Sequence, residues 1–222
     1  MNTRSKMPYK KILSEKIFII GLPRTGTTSV CAALLNLGFN VAHTAYTQRT
    51  FEQAQVLADT PIFNDYKLLD NTYQNSRFIY LTRDLTLWIP SIKQLLLRMS
   101  KNLLRNDGGF NPIIKRCYLN TFSPFCETSI NSDAFLTESY LKHQAQVHDY
   151  FKDTPEKLLT INVSELDAFQ QLLTFLNLPT VNSHFEKMNI GGKVTAWKDL
   201  EHPLKISSTN KGKATPLDYL KG

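Results

Sequence analysis

Cysteine is scarce in this chain: three in 222 residues, Cys31, Cys117 and Cys126. Their spacing matches no metal-ligand pattern, and no metal is expected. An odd count points to a reducing compartment, whereas an oxidising one would leave Cys117 and Cys126 as the pair to form a bridge. Cys31, on a helical pattern, reads as a small buried apolar residue. His143 and His148 are five apart, off a single helical face, so they make no metal site either. Long apolar runs are also missing. None approaches the roughly 20 residues that a membrane-spanning helix needs. The first fifteen residues are polar and basic and lack the apolar centre of a signal peptide. The expectation is a cytoplasmic protein with an N-terminal arm over residues 1–15. There is no internal repeat and no linker, so residues 16–222 read as a single domain, of a size that one core serves.

Positive charge is not scarce. There are 26 basic and 19 acidic residues, a formal net charge of +7. The surplus suits an anionic ligand or partner. By itself it does not separate a nucleotide from a nucleic acid or an acidic membrane face.

The most informative stretch is Lys16 to Ser29, KIFIIGLPRTGTTS. A short apolar run stops at Gly21, passes through a loop of small residues, and enters a helical pattern from Ser29 to Leu37 that ends at Gly38. Strand, glycine loop and helix in that order make an anion cradle. Backbone N–H groups converge there, and the helix dipole favours negative charge. The glycines, Gly21 and Gly26, have the G-x-x-x-x-G spacing of a P-loop. A nucleoside triphosphatase would continue with Lys; here Thr27 and Thr28 follow, and the cation sits inside the loop as Arg24.

Further along, Phe39–Val41 reads as a short strand, Phe51–Leu57 as helical, and residues 64–73 as a helix. A second clear strand, residues 78–82, ends at Arg83. Asp84 then caps a helix over residues 85–104. Residues 105–131, with Pro112 and Pro124, read as an irregular insertion or lid. A helix over 132–151 and a third strand, 158–162, follow, and Ser164 caps a last helix through Leu176. Strands alternating with helices predict an α/β fold with a mainly parallel sheet covered on both faces, its strands at 17–20, 78–82 and 158–162 central. Arg83 lies at the carboxyl end of its strand, where such sheets bind ligands. Ser91 is two turns into the next helix. A forked guanidinium with a hydroxyl beside it suits a phosphate monoester. Trp88 reads as a core residue.

Pro23-Arg24-Thr25-Gly26-Thr27-Thr28-Ser29 resembles the 5′-phosphosulfate loop of sulfotransferases that use 3′-phosphoadenosine 5′-phosphosulfate (PAPS). The run Arg83-Asp84…Trp88…Ser91 resembles their 3′-phosphate signature. The late element, from Leu158 through Glu165 to Pro179, is similar to the one these enzymes carry. The resemblance covers about residues 16–180 and is nearest to compact bacterial-type members. It implies a three-layer, P-loop NTPase-like fold and PAPS as donor, with 3′,5′-ADP as product and no metal. It implies in-line sulfuryl transfer to a hydroxyl or amine of a small-molecule or glycan acceptor. Arg24, Thr27 and the loop N–H groups would meet the charge on the leaving oxygen. Thr28 would bond the 5′-phosphate. A general base is also required. Asp59, in Ala58-Asp59-Thr60-Pro61, falls where cytosolic relatives place a histidine; His43 is the second possibility and Glu52 the third. Those relatives also close over the 3′-phosphate with a basic run. Here Lys193, in Gly191-Gly192-Lys193, is the counterpart, or Lys211 with Lys213. The competing readings are a P-loop kinase of a small molecule, which Thr27 in place of lysine disfavours, and a non-catalytic nucleotide- or RNA-binding module, for which no motif is visible.

Overall fold

The computed structural model describes residues 15–188 and 196–220. Its centre is a five-stranded sheet, and every pairing in it is parallel. The strands are β1 (Ile17–Ile19), β2 (Val41–Ala42), β3 (Val56–Ala58), β4 (Arg77–Thr82) and β5 (Leu158–Asn162), in the order β2-β3-β1-β4-β5. The sheet is α/β and P-loop-like, as expected. The strand at 158–162 departs from expectation: it lies at an edge rather than in the centre, and four of its five residues are only partly buried. Residues 56 and 57, read from sequence as helical, belong to β3 instead. The helix here is short, α2 at Gln48–Gln53, following α1 at Thr27–Asn36.

Period-2 alternation divides the sheet into two cores. Ile17, Ile19, Val56, Ala58, Ile79, Leu81 and Ile161 point to one side, where Val30, Cys31, Leu34 and Leu35 of α1 meet Phe169, Leu172 and Leu173 of α8 (Ala168–Phe175). Phe18, Ile20, Leu57, Phe78 and Tyr80 point to the other side, against helix α3 (Ile62–Thr72) and the C-terminal end of the long helix Asp133–Tyr150. This is the three-layer arrangement that parallel sheets require, because both faces must be covered.

Residues 105–131 are more regular than the sequence suggests. They form α5 (Pro112–Thr121) and α6 (Glu127–Asn131), which lie between α4 (Leu85–Leu104) and α7 (Asp133–Tyr150). Asn111 caps α5 by accepting from Ile114 N–H at 3.0 Å, and Pro112 occupies its first turn, so the proline starts a helix instead of breaking one. Together these helices bury a third core of Leu22, Phe63, Trp88, Ile92, Cys117, Tyr118 and Phe122. Cys117 is buried, Cys126 is exposed and both are free, so the oxidised pairing is not formed.

The segment after the helix α9 (Ala196–Asp199) runs along the β2 edge. Val41 donates to the Leu204 carbonyl at 3.0 Å and accepts from Ile206 N–H at 2.8 Å, a parallel bridge that pairs the edge backbone. Near its end Tyr219 donates to Asp65 at 2.9 Å. Asp65 is buried in the first turn of α3 and receives a forked pair of bonds from Arg116 of α5, at 2.7 and 2.6 Å. Asp65 therefore ties α3, α5 and the C-terminal segment together. The same contact raises the Arg116 pKa above its ordinary value, chiefly through the hydrogen bonds to Asp65. A carboxylate this deep needs its cation. Arg116→Ala is expected to lower stability by about 3–5 kcal/mol, the cost of stranding a buried charge. Thermal unfolding should move down by about 10 °C in a domain of this size. A shift under about 2 °C would show that the pair contributes little.

Candidate active site

Parallel pairing carries the loops after neighbouring strands to one edge of the sheet. Ile19 stands opposite Ala58 on one side and Ile79 on the other. The loop from Gly21, the Asp59 turn and Arg83 thus leave the same edge, and His43 leaves it one strand further out, directly after β2. These are the carboxyl ends of the strands, where open α/β sheets hold ligands.

The loop is held tightly. A Cβ on Gly21 would lie 2.6 Å from Leu81 Cβ and 2.9 Å from the Leu81 nitrogen, so only glycine lets the chain pass β4. Gly26 has φ 110° and would press a Cβ to within 2.7 Å of Val163. Arg24 adopts φ 74°, a left-handed backbone unusual for a side chain of its size. Thr25 is buried and donates to the Leu22 carbonyl at 2.7 Å, so its hydroxyl shapes the loop from within. Pro23 is tied from below: its carbonyl accepts from Trp88 Nε1 at 2.9 Å. Trp88 is fully buried, as expected of a core residue, and also serves as this anchor. Helix α1 starts at Gly26 with no side-chain cap and no acidic residue in its first turn, and Thr27, Thr28 and Ser29 are all buried there. Nothing on this helix competes with an external anion at its positive end.

The second cluster meets the first. Arg24 Nε donates to Ser91 Oγ at 2.8 Å, and Arg83 Nη1 donates to the Arg24 carbonyl at 2.7 Å. The backbone of Arg83 is fixed in turn by Tyr140 of α7, whose hydroxyl accepts from Arg83 N–H at 2.9 Å and donates to its carbonyl at 3.2 Å. Asp84 caps α4, accepting from Thr86 N–H at 2.7 Å. Burial lowers the Arg24 pKa, and the neighbouring charges of Arg83 and Arg98 lower it further, with Asp59 opposing. Among the described residues neither Arg24 nor Arg83 forms a salt bridge with a carboxylate. Crowded cations without a fixed counter-ion make a site for an anion.

The three residues considered as base are placed differently. Asp59 follows β3 with φ 50°, accepts from the Thr60 hydroxyl at 3.0 Å, and precedes the cis Thr60–Pro61 bond. It exerts a field on Arg24, His43, Tyr46 and Tyr118. His43 Nε2 lies 3.2 Å from the Thr27 hydroxyl and 3.0 Å from that of Thr28. Glu52 does not belong to the site. It is exposed near the end of α2, where Lys16, just before β1, reaches its carbonyl at 3.5 Å. That is the amino edge of the sheet, opposite the loop. Of the basic residues proposed to close the site, Lys193 lies outside the described residues. Lys211 and Gly212 form an exposed tight turn closed by Asn210 and Lys213, with no contact to Arg83 or Ser91.

Sequence reasoning did not find Tyr140, or Tyr46 and Tyr118, which converge on the Thr60 hydroxyl beside Asp59. Tyr140 lies 57 residues from Arg83 on a different helix, and only the packing of α7 against β4 brings the two together. Among the described residues no group of three or more His, Cys, Asp or Glu is placed to hold a metal ion, and no helix is long and apolar enough to cross a membrane.

A family model described as a sulfotransferase domain matches residues 16–50 and 44–194. No curated protein matches the chain at a significant level. The family match takes in β1 to β5, the glycine loop, Asp59 and the Arg83–Ser91 pair, well over half of the sequence, and the chain therefore belongs to the sulfotransferase family.

Proposed function

We propose that the protein is a PAPS-dependent sulfotransferase acting on a hydroxyl or amine of a small-molecule or glycan acceptor. The observation that carries this reading is the contact between the two anion-binding clusters: Arg24 on Ser91, and Arg83 on the Arg24 carbonyl. Two phosphate sites joined this closely suit one ligand with an anion at each end. PAPS has that form, with a phosphosulfate at its 5′ end and a phosphate at its 3′ end.

The residues present fit it. The uncapped start of α1, with its loop pressed against Leu81 and Val163, offers backbone N–H groups to the 5′ end, with the hydroxyls of Thr27 and Thr28 beside them. Arg83 and Ser91 are assigned to the 3′-phosphate, where a guanidinium gives charge and direction together. The bound donor supplies an activated sulfuryl group. The chain's own part is to place it, to meet the charge that grows on the leaving oxygen with Arg24 and the loop donors, and to take a proton from the acceptor. Asp59 is assigned as the base. It leaves the sheet beside the loop, its field reaches Arg24, and it belongs to the acceptor side together with Tyr46 and Tyr118. A cytoplasmic setting is the compartment proposed for this activity.

Binding tests the donor first. 3′,5′-ADP is expected to bind much more tightly than 5′-AMP. Arg83→Ala should remove most of that preference at a cost of about 1.5–3 kcal/mol, the value of a charged hydrogen bond. Thermal-shift titrations with 3′,5′-ADP, ATP with magnesium, and a short RNA also separate the kinase and RNA-binding readings, since only a ligand of the native state raises the transition. Equal affinity of the unaltered protein for 3′,5′-ADP and 5′-AMP would sink the assignment.

Turnover tests the base. Asp59→Asn is expected to cut the rate with labelled PAPS by about 10²-fold or more while leaving 3′,5′-ADP affinity nearly unchanged. If Asp59→Asn keeps its rate while His43→Gln binds 3′,5′-ADP normally and is inactive, the base is His43 and Asp59 serves only the turn at Pro61.

A further inference from the structure

His43 is in direct contact with the first residues of α1. It follows the two-residue strand β2, and its Nε2 is shared by the hydroxyls of Thr27 and Thr28, the first two residues of α1. Trp197 of α9 covers the imidazole, ring centroids 5.4 Å apart and planes tilted by 30°. Lys205 holds Trp197 in place by donating to its carbonyl and lying over its ring at 5.1 Å. The described groups that set the charge around His43 are Asp59 at the end of β3 and Lys205 in the C-terminal segment. Burial lowers the His43 pKa most, Lys205 adds to that, and Asp59 opposes it. In the free protein near neutral pH the ring is therefore uncharged.

An uncharged ring that presents Nε2 as an acceptor takes a hydrogen bond from a threonine hydroxyl, so a proton that an anion in the loop would use is turned toward His43 instead. A charged ring reverses this. Nε2–H donates to a threonine oxygen, the hydroxyl proton that Nε2 had accepted is turned away from the ring, and a full positive charge is added beside the start of α1. We propose that His43 is a proton-linked binding group for the phosphosulfate end of the donor, taking up one proton from solvent when that anion enters the loop. The proposal rests on the reading of the ligand as PAPS. It assigns His43 to the donor rather than to proton removal from the acceptor.

The sign follows from linkage. An anion in the loop favours the charged ring, so the His43 pKa is higher in the complex than in the free protein. Between those two values the contribution of His43 to affinity falls as pH rises, by about tenfold per pH unit for one proton. Below the free value and above the bound value it is flat.

The test is calorimetric titration with 3′,5′-ADP between pH 5.5 and 8.5, for the unaltered protein and for His43→Gln, in two buffers of different ionisation heat. The nucleotide has a titrating phosphate of its own, which contributes equally to both proteins, so the difference between them isolates His43. The unaltered protein is expected to take up more protons on binding than His43→Gln, by up to one near the middle of the window. The ratio of their affinities should fall by about tenfold across one pH unit inside it. A ratio constant with pH overturns the proposal, even if His43→Gln binds more weakly throughout, since that is the mark of a purely structural role. Failure of the unaltered protein to bind 3′,5′-ADP at all overturns the donor assignment itself, a different outcome. If His43→Gln does not fold, NMR titration of the His43 ring in the unaltered protein decides: a pKa raised by 3′,5′-ADP supports the proposal, and an unchanged one overturns it.

Discussion

Arg24 joins the two halves of the site through both its backbone and its side chain. Its φ of 74° turns the carbonyl toward Arg83 Nη1 while its guanidinium reaches Ser91. The left-handed backbone is a strained state for such a residue and persists only where its surroundings fix it. They do so here on every side: Gly21 against Leu81, Pro23 on Trp88, Thr25 on Leu22, Gly26 against Val163. The loop on β1 and the helix after β4 are thus one unit. The geometry of the proposed site for two linked anions follows from the packing of β1 beside β4.

That packing also explains how like charges come to be collected. Arg24 and Arg83 repel each other, yet hydrogen bonds to Ser91 and to a backbone carbonyl hold them where, among the described residues, no carboxylate forms a salt bridge with them. Helix α1 adds its positive end to the same place. In the proposed function, the stability lost by gathering these cations would be returned by the bound anion, which would make affinity and salt sensitivity two aspects of one arrangement.

Much of this was legible in the sequence because it was local. The β1 loop announces itself through glycine spacing and three hydroxyls in register, and Arg83 through the end of an apolar run with a capping Asp84 behind it. Strand β3 was not legible. Three residues, Val56 to Ala58, carry too short an apolar pattern to stand out from the helix before them. The position of β5 at an edge is a matter of pairing order, which composition does not record. Residues 105–131 looked irregular because their prolines were read as breakers, yet Pro112 starts a helix. Tyr140, Tyr118 and Arg116 act across gaps of 50 to 60 residues, beyond any spacing rule. Asp59 was legible as a position, while the crowd of phenols around it was not.

The segment from Leu204 to Ile206 pairs the backbone of Val41, and Tyr219 reaches Asp65 across 154 residues of chain. A ribosome makes the chain in order, so the strand beside His43 leaves the exit tunnel long before its edge partner is made. Throughout that interval β2 presents unpaired backbone groups, the kind of edge on which nascent chains associate with one another. A stretch synthesised much later is therefore what withdraws that edge from its neighbours, and the histidine side of the fold waits for it.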